Sequence, residues 1–118
     1  MATINDGADS FVAASASGVA KNIRVKLNSN RKLEVAAAAD REIGVTDYAT
    51  KNGTEVVKVR LSNSAGSVDV TAGGAVSPGQ IVKRDASGKV STAGAGSDYG
   101  IAYGSAVSDG DVIEVYPL

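Results

Sequence analysis

The sequence contains an internal repeat, and this repeat constrains the fold more than any other feature. A shift of 57 positions places Val25 on Val82 and Lys26 on Lys83, and after one deletion a shift of 56 places Gly44 on Gly100. The matches keep one order of apolar runs and turns through both copies. A repeat of this length is typical of a duplicated supersecondary unit, so we expect two similar units, at about residues 18–61 and 75–118.

Each copy has the pattern of a β-hairpin followed by further short strands. In the first copy, residues 23–27 and 32–35 flank the polar turn at 28–30, and in the second copy residues 80–84 and 89–92 flank the turn at 85–88. Apolar runs bracketed by turn residues predict hairpins. A short strand follows at 43–45 or 100–102. The strongest strand signals are the last ones, at 55–61 and 111–116, each of which follows an Asn-Gly or Asp-Gly pair.

Composition points to the same all-β class. The chain has 16 Val and 14 Gly but only one Phe and no Trp, and Val favours strands because its branched Cβ packs well on a pleated sheet. We therefore predict a small β-barrel or β-sandwich domain over residues 18–118, with a linker at 62–74. Residues 1–17, rich in Ala, Ser, Asp and Gly, are predicted to form an extended N-terminal arm.

Missing residue types argue against most catalytic and cofactor chemistry. The chain has no His and no Cys, which removes Ser-His and Cys-His nucleophile pairs and the commonest zinc ligands. We therefore expect no enzyme activity, no catalytic residue, no cofactor, no metal site and no small-molecule substrate. The net charge of -1 gives no basic surface for nucleic acid, and no apolar run is long enough for a membrane span. The N-terminal residues lack the features of a signal peptide, so the protein is expected to be made and used in the cytoplasm, or to leave the cell by another route such as lysis.

The remaining polar clusters are interpreted as ordinary structural features. Asp109 and Asp111, with Asp98 upstream, have the oxygen chemistry of a weak divalent-cation site, but Asp-Gly-Asp is more typical of a turn capped by its own side chains. Gly94, Gly96 and Gly100 are expected at turns or bulges. The segments Asp40-Arg41-Glu42, Arg31-Lys32 and Lys83-Arg84 are expected to be solvated.

Two sets of side chains leave functional alternatives open. Lys26 and Lys83 occupy equivalent positions, and a lysine on a hairpin is a feature of β-rich carrier domains, although both lysines here lie inside strands and are expected to face solvent. The four tyrosines, at 48, 99, 103 and 116, suit either core packing or contact with a partner.

The second copy resembles the capsid decoration, or cement, proteins of tailed bacteriophages. The resemblance rests on Pro78-Gly79, the strand Gln-Ile-Val-Lys at 80–83, Asp85 with Gly88-Lys89-Val90, Gly-Ile-Ala at 100–102, and the final strand at 111–115. It covers about residues 74–118, and the first copy matches only through the repeat.

This resemblance implies a structural protein on the outer capsid surface of the virion. Such a protein binds the major capsid (coat) protein, commonly as a homotrimer, and stabilises the shell by bridging neighbouring coat subunits. The arm then gains a role through Ile4, Phe11 and Val12 as apolar anchors, and Tyr48 and Tyr103 are further candidates for partner contact. The alternatives are another virion component (a head-fibre base, a tail-tube or an adaptor domain) and a β-rich carrier or ligand-binding domain.

Overall fold

The protein is built almost entirely from short antiparallel β-strands, which confirms the predicted all-β class. The computed structural model describes residues 8–15, 18–47, 56–62 and 66–118. Over these residues the strands are β1 (Ala8–Val12), β2 (Arg24–Leu27), β3 (Leu33–Val35), β4 (Gly44–Thr46), β5 (Val56–Leu61), β6 (Val68–Thr71), β7 (Ile81–Arg84), β8 (Val90–Ser91), β9 (Asp98–Ala102) and β10 (Val112–Pro117).

The strands form two five-stranded sheets of the same topology. The first sheet has the order β1-β5-β4-β2-β3 and the second has the order β6-β10-β9-β7-β8. Adding five to each strand number of the first sheet gives the second. The duplication predicted from the sequence is therefore confirmed, and we call the two halves the first unit (residues 8–62) and the second unit (residues 66–118).

Equivalent registers explain why Gly44 and Gly100 recur in the two copies. Gly44 pairs with Val25, and Gly100 pairs with the equivalent residue Val82. A Cβ added at either position would lie 2.7 Å from a valine Cγ1 of the adjacent strand and would also overlap the backbone of that strand. Two heavy atoms do not approach so closely, so a side chain at either position would force the neighbouring strand to shift.

The first strand of each unit comes from a segment that was assigned to no unit. Residues 8–12, inside the expected arm, form β1 and pair with β5, while β6 lies inside the expected linker and pairs with β10. Directly after these strands, parallel bridges join Ala13 to Leu33 and Ala72 to Val90. Because each bridge connects the two ends of its sheet, each unit curls into a small five-stranded barrel.

Each barrel encloses its own apolar cluster of mainly small side chains. In the first unit the cluster includes Val25, Leu33, Val57 and Val59. The second unit has a larger cluster around Val70, Val82, Ile113 and Val115. A fully buried valine or leucine contributes about 1.5–3 kcal/mol, so these clusters are the main source of stability in each unit. Val45 is an exception, because it belongs to the first unit but packs into the cluster of the second.

Candidate functional site

The predicted partner-contact residues that the structure describes fall in two places. Phe11 and Val12 lie in β1 and are half-buried, and Phe11 packs against the apolar cluster of the first unit. Tyr103 follows β9 and is 64% exposed. Ile4 and Tyr48 lie outside the described residues. The structure thus brings none of the described candidates together, and contact with a partner stays a prediction.

The Asp109–Asp111 segment forms the capped turn that was expected. Gly110 has a φ of +100°, a conformation that glycine adopts at little cost, and the Asp111 carboxylate accepts hydrogen bonds from the backbone N–H groups of Val107 and Ser108. These bonds hold the pKa of Asp111 below its usual value. Among the described residues no group of three or more acidic, His or Cys side chains is placed to bind a metal.

The two equivalent lysines lie on strands, as predicted, but differ in environment. Lys26 is half-buried and pairs with Asp40 at 2.9 Å, whereas Lys83 is exposed. The hydrogen bond that the Lys26 ammonium donates to the Asp40 carboxylate raises the pKa of Lys26. Over the described part of the chain, no helix is long and apolar enough to span a membrane.

A buried charged cluster joins the two units, and its members correct the expectation of solvated segments. The cluster consists of Arg24, Glu42 and Arg84, which are only 0%, 5% and 7% exposed. Arg84 binds both carboxylate oxygens of Glu42, Nε to Oε1 at 2.8 Å and Nη2 to Oε2 at 2.9 Å. Arg24 donates from Nη1 to Oε1 at 3.0 Å. Residues 42 and 84 were expected in solvent, but packing of one unit on the other buries them.

Backbone carbonyls and the Ser97 hydroxyl accept further hydrogen bonds from the two guanidinium groups. Arg24 reaches across to the second unit, with Nε bonded to the carbonyl oxygen of Lys89 at 3.1 Å and Nη2 to that of Asp85 at 2.6 Å. Arg84 donates from Nη1 to the carbonyl oxygen of Asp98 at 2.8 Å. Within the described residues, no buried side-chain nitrogen or oxygen lacks a hydrogen-bond partner. The cluster therefore has the geometry of a fixed structural joint.

The ionisation of Glu42 depends on its two arginines. Burial alone would raise the pKa of Glu42, but hydrogen bonds from Arg84 and Arg24 outweigh burial and hold this pKa below its usual value. The Arg84 guanidinium also lies 5.5 Å from the centre of the Tyr99 ring, within range of a cation–π interaction. Tyr99 is buried, and burial raises the pKa of its hydroxyl well above the usual value.

An open polar cleft of about 400 Å³ is lined by residues of both units. Lys21 and Arg60 from the first unit and Asp69 and Glu114 from the second are among its lining residues. Glu114 accepts a hydrogen bond from Ser67. The mixed signs of charge along its walls favour no single class of ligand.

Equivalent rows of side chains on the outer faces of the two sheets differ in polarity and in exposure. In the first unit, Arg24, Val45 and Arg60 are cross-strand neighbours, and the second unit covers the first two of them completely. In the second unit the equivalent neighbours are Ile81, Ile101 and Tyr116. These three are 49%, 41% and 48% exposed, and we call them the outer row.

Tyr103 extends the outer row into a larger apolar surface. Its ring meets the Tyr116 ring edge-on, with centroids 6.0 Å apart and an angle of 82°. Exposed tyrosines with apolar neighbours are common anchors of protein interfaces. The outer row with Tyr103 is therefore the strongest candidate for a binding surface among the described residues.

The buried joint and most of the outer row were not predicted from the sequence. The period-2 alternation in Ile81–Arg84 and Asp98–Ala102 carried the signal, because it separates Ile81 and Ile101 from the inward-facing Val82 and Ala102. Comparison of the aligned copies also pairs apolar Ile81 with charged Arg24. The contrast between a charged and an apolar residue at equivalent positions indicates that this face has different surroundings in the two units.

Comparison with known proteins gives a match in structure but none in sequence. No protein-family model matches the chain, and no curated protein sequence matches it. The fold is similar to the crystal structure of the N base of head fiber gp8.5 from bacteriophage phi29, with a TM-score of 0.72 over 94% of each chain. The two sequences are 17% identical, so the similarity concerns the fold.

Proposed function

We propose that this protein is a non-enzymatic structural component of a bacteriophage head. The observation that carries the proposal is the similarity of fold, over nearly the whole chain, to a phage head-fibre base. The sequence resemblance of residues 74–118 to phage decoration proteins also supports the proposal, through the turn and strand motifs of the second copy. Both lines of support point to the same class of protein.

In this proposal the protein binds the coat protein on the outer capsid surface, as a homotrimer. A protein that binds only the assembled shell stabilises it by mass action. If each trimer contacts several coat subunits at once, avidity strengthens the attachment without any new contact. Such a protein acts as a clamp across coat subunits and has no need of a cofactor.

The test is cryo-electron microscopy of particles from the phage that encodes the chain. We expect density of this fold on the outer surface of the head, at positions where coat subunits meet. Density only on the tail, or particles that lack the chain by mass spectrometry, would overturn the proposal.

Copy number distinguishes the two roles within this class. A decoration protein, favoured by the motifs at 78–115, would be present at hundreds of copies distributed over the shell. A head-fibre base, favoured by the structural similarity, would be present only at the attachment points of fibres. Quantitative mass spectrometry against the coat protein measures this ratio directly.

The proposed role of the N-terminal residues in capsid binding has its own test. Removal of residues 1–7 leaves β1 intact, whereas removal of the whole predicted arm would also remove a strand of the first sheet. We expect Ile4→Asp to weaken co-sedimentation with shells that lack the protein, and we expect Asn5→Asp, the matched control, to leave it unchanged. Equal binding by both variants and by the shortened chain would contradict this role.

A further inference from the structure

The outer face of a unit already serves as a protein interface inside this chain. In the first unit this face carries Arg24 and Val45, which are buried because the second unit packs on them. Arg24 alone bonds two carbonyl oxygens of the second unit. The fold therefore uses this sheet face to stack one unit on the next.

The second unit, which is the last one in the chain, has an apolar outer face. The outer row of the second unit occupies the positions equivalent to the buried row, and it remains about half exposed. In repeat proteins the terminal unit usually has a polar outer face, which keeps the protein soluble and stops further stacking. Ile81, Ile101 and Tyr116 have the opposite chemistry, that of a face which another unit covers.

The complementary surface is exposed at the other end of the chain. Part of the second unit that covers the first is its β7–β8 turn, residues 85–89, which accepts the bonds from Arg24. The equivalent β2–β3 turn of the first unit, residues 28–32, is half-exposed at Asn28 and exposed from residue 29 onward. Each copy thus has one uncovered outer face and one uncovered turn.

We infer that the outer row and Tyr103 bind a second copy of this chain, which contacts them through the β2–β3 turn side of its first unit. This is a head-to-tail contact, which generates a ring when the rotation closes and a filament when it does not. It would close the homotrimer proposed above as a ring of three. It concerns contact between copies, so it stands or fails separately from the location of the protein on a phage.

The contact between copies differs in detail from the contact within the chain. Gly88 packs closely against β2 of the first unit, so closely that a Cβ there would overlap the side chain of Ile23. The equivalent residue in the first unit is Arg31, which has the same positive φ but a long side chain. The second copy therefore sits farther from the face, where Ile81 and Ile101 need no hydrogen-bond partner and the hydroxyls of Tyr116 and Tyr103 can bond to the polar turn.

The first experiment measures self-association of the full chain by sedimentation velocity and light scattering over a range of concentrations. We expect concentration-dependent oligomers for the native chain and at least about a tenfold weaker association for Ile101→Glu, as for loss of a central interface residue. Val107→Glu is the matched control, because Val107 is 85% exposed and lies in a loop outside the outer row. A native chain that stays monomeric up to millimolar concentration would overturn the inference, as would equal effects of the two variants.

The second experiment tests the head-to-tail arrangement by complementation. The variant Arg31→Glu/Lys32→Glu alters the exposed turn and leaves the outer row intact, while Ile101→Glu does the reverse. We expect each variant alone to be monomeric and a mixture of the two to form a 1:1 dimer, because one intact face meets one intact turn. Association of the turn variant with itself at native strength would instead show a face-to-face contact and would reject the inference.

Far-ultraviolet circular dichroism and urea unfolding show whether each variant is folded, so that a loss of association is not mistaken for unfolding. All of these substitutions lie at exposed positions, so native-like spectra and unfolding midpoints are expected. If Ile101→Glu unfolds the chain, Tyr116→Ser tests the same row, and association of that variant at native strength counts against the inference.

Discussion

Glu42 carries one negative charge between two buried arginines, so the joint between the units has a net charge of +1. Removing one partner of a buried ion pair is costly because it leaves an uncompensated charge in a poorly solvated place. The same loss at a solvated pair costs little. Glu42 is therefore the single residue at which the attachment of one unit to the other is most sensitive.

We expect Glu42→Gln to destabilise the protein by about 3–5 kcal/mol, the range for breaking a buried pair. Urea unfolding at pH 7 measures the change. Asp109→Asn is the control, since Asp109 pairs with Lys89 at 2.7 Å but its side chain is 63% exposed. Similar losses of stability in the two variants would show that burial does not increase the cost of breaking the ion pairs of the joint.

The same residue gives a pH dependence whose sign follows from its pKa. The pKa of Glu42 is lower in the folded protein than its ordinary value of 4.5, so the unfolded chain takes up the proton first. The stability from the ionised carboxylate is fully present above about pH 4.5 and is lost as the pH falls through the lower folded-state value. We expect the difference between the native chain and Glu42→Gln to shrink steadily below pH 4.5 in urea titrations. A difference that stays constant down to pH 3 would contradict this.

These buried charges lay beyond what the sequence predicts, for a physical reason. Alternation along β2 and β7 indicates which side chains share a face, but it does not say whether that face is covered. Arg24 and Glu42 are 18 positions apart, and Arg84 is 42 positions beyond Glu42. Only packing of one unit on the other brings the three together.

At the scale of the elements, the repeat predicted most strands correctly because equivalent residues keep equivalent registers. The hairpins β2–β3 and β7–β8 and the strands β4, β5, β9 and β10 lie where the two shifts placed them. The alternation of Val68-Asp69-Val70 predicts a linking strand, and β6 lies there, but neither this segment nor Ala8–Val12 was assigned to a unit, because both are rich in small polar residues and show little mutual similarity. Their pairing partners, β5 and β10, are distant in sequence.

The two cross-strand glycines give a prediction at this scale. We expect Gly44→Ala and Gly100→Ala each to cost about 1–3 kcal/mol, as for overpacking of a tight site. Gly74→Ala is the matched control, because a Cβ at Gly74 meets no atom within 4 Å, and surface changes of this kind stay within about 0.5 kcal/mol. Chemical denaturation of the three variants measures the contrast, and an equal effect at all three positions would show that the registers of β4 and β9 are relaxed.

At the scale of the whole molecule, the two units share contacts that neither can make alone. Val45 lies in the apolar cluster of the second unit, and the Thr71 amide donates a hydrogen bond to the carbonyl oxygen of Asn22 across the same boundary. Together with the buried joint, these contacts couple the unfolding of one barrel to that of the other.

We therefore expect a single cooperative thermal transition for the native chain. Differential scanning calorimetry should give equal calorimetric and van't Hoff enthalpies. In Glu42→Gln, where the coupling is weakened, we expect the transition to broaden or split, with the second unit and its larger apolar cluster unfolding last. Two separate transitions in the native chain would show that the barrels are energetically independent.

Closure of each barrel also affects how readily copies of the chain aggregate when their local concentration is high. The parallel bridges at Ala13–Leu33 and Ala72–Val90 engage backbone groups at the sheet ends, where the Ala14 amide donates to Leu33 and the Gly73 amide to Val90. Unpaired strand edges invite strand addition between molecules and are a common route to aggregation. Since these edges are partly occupied from within, we expect copies at high local density to contact one another mainly through side chains, and strand addition beside the exposed apolar face to be less favourable than at a free edge.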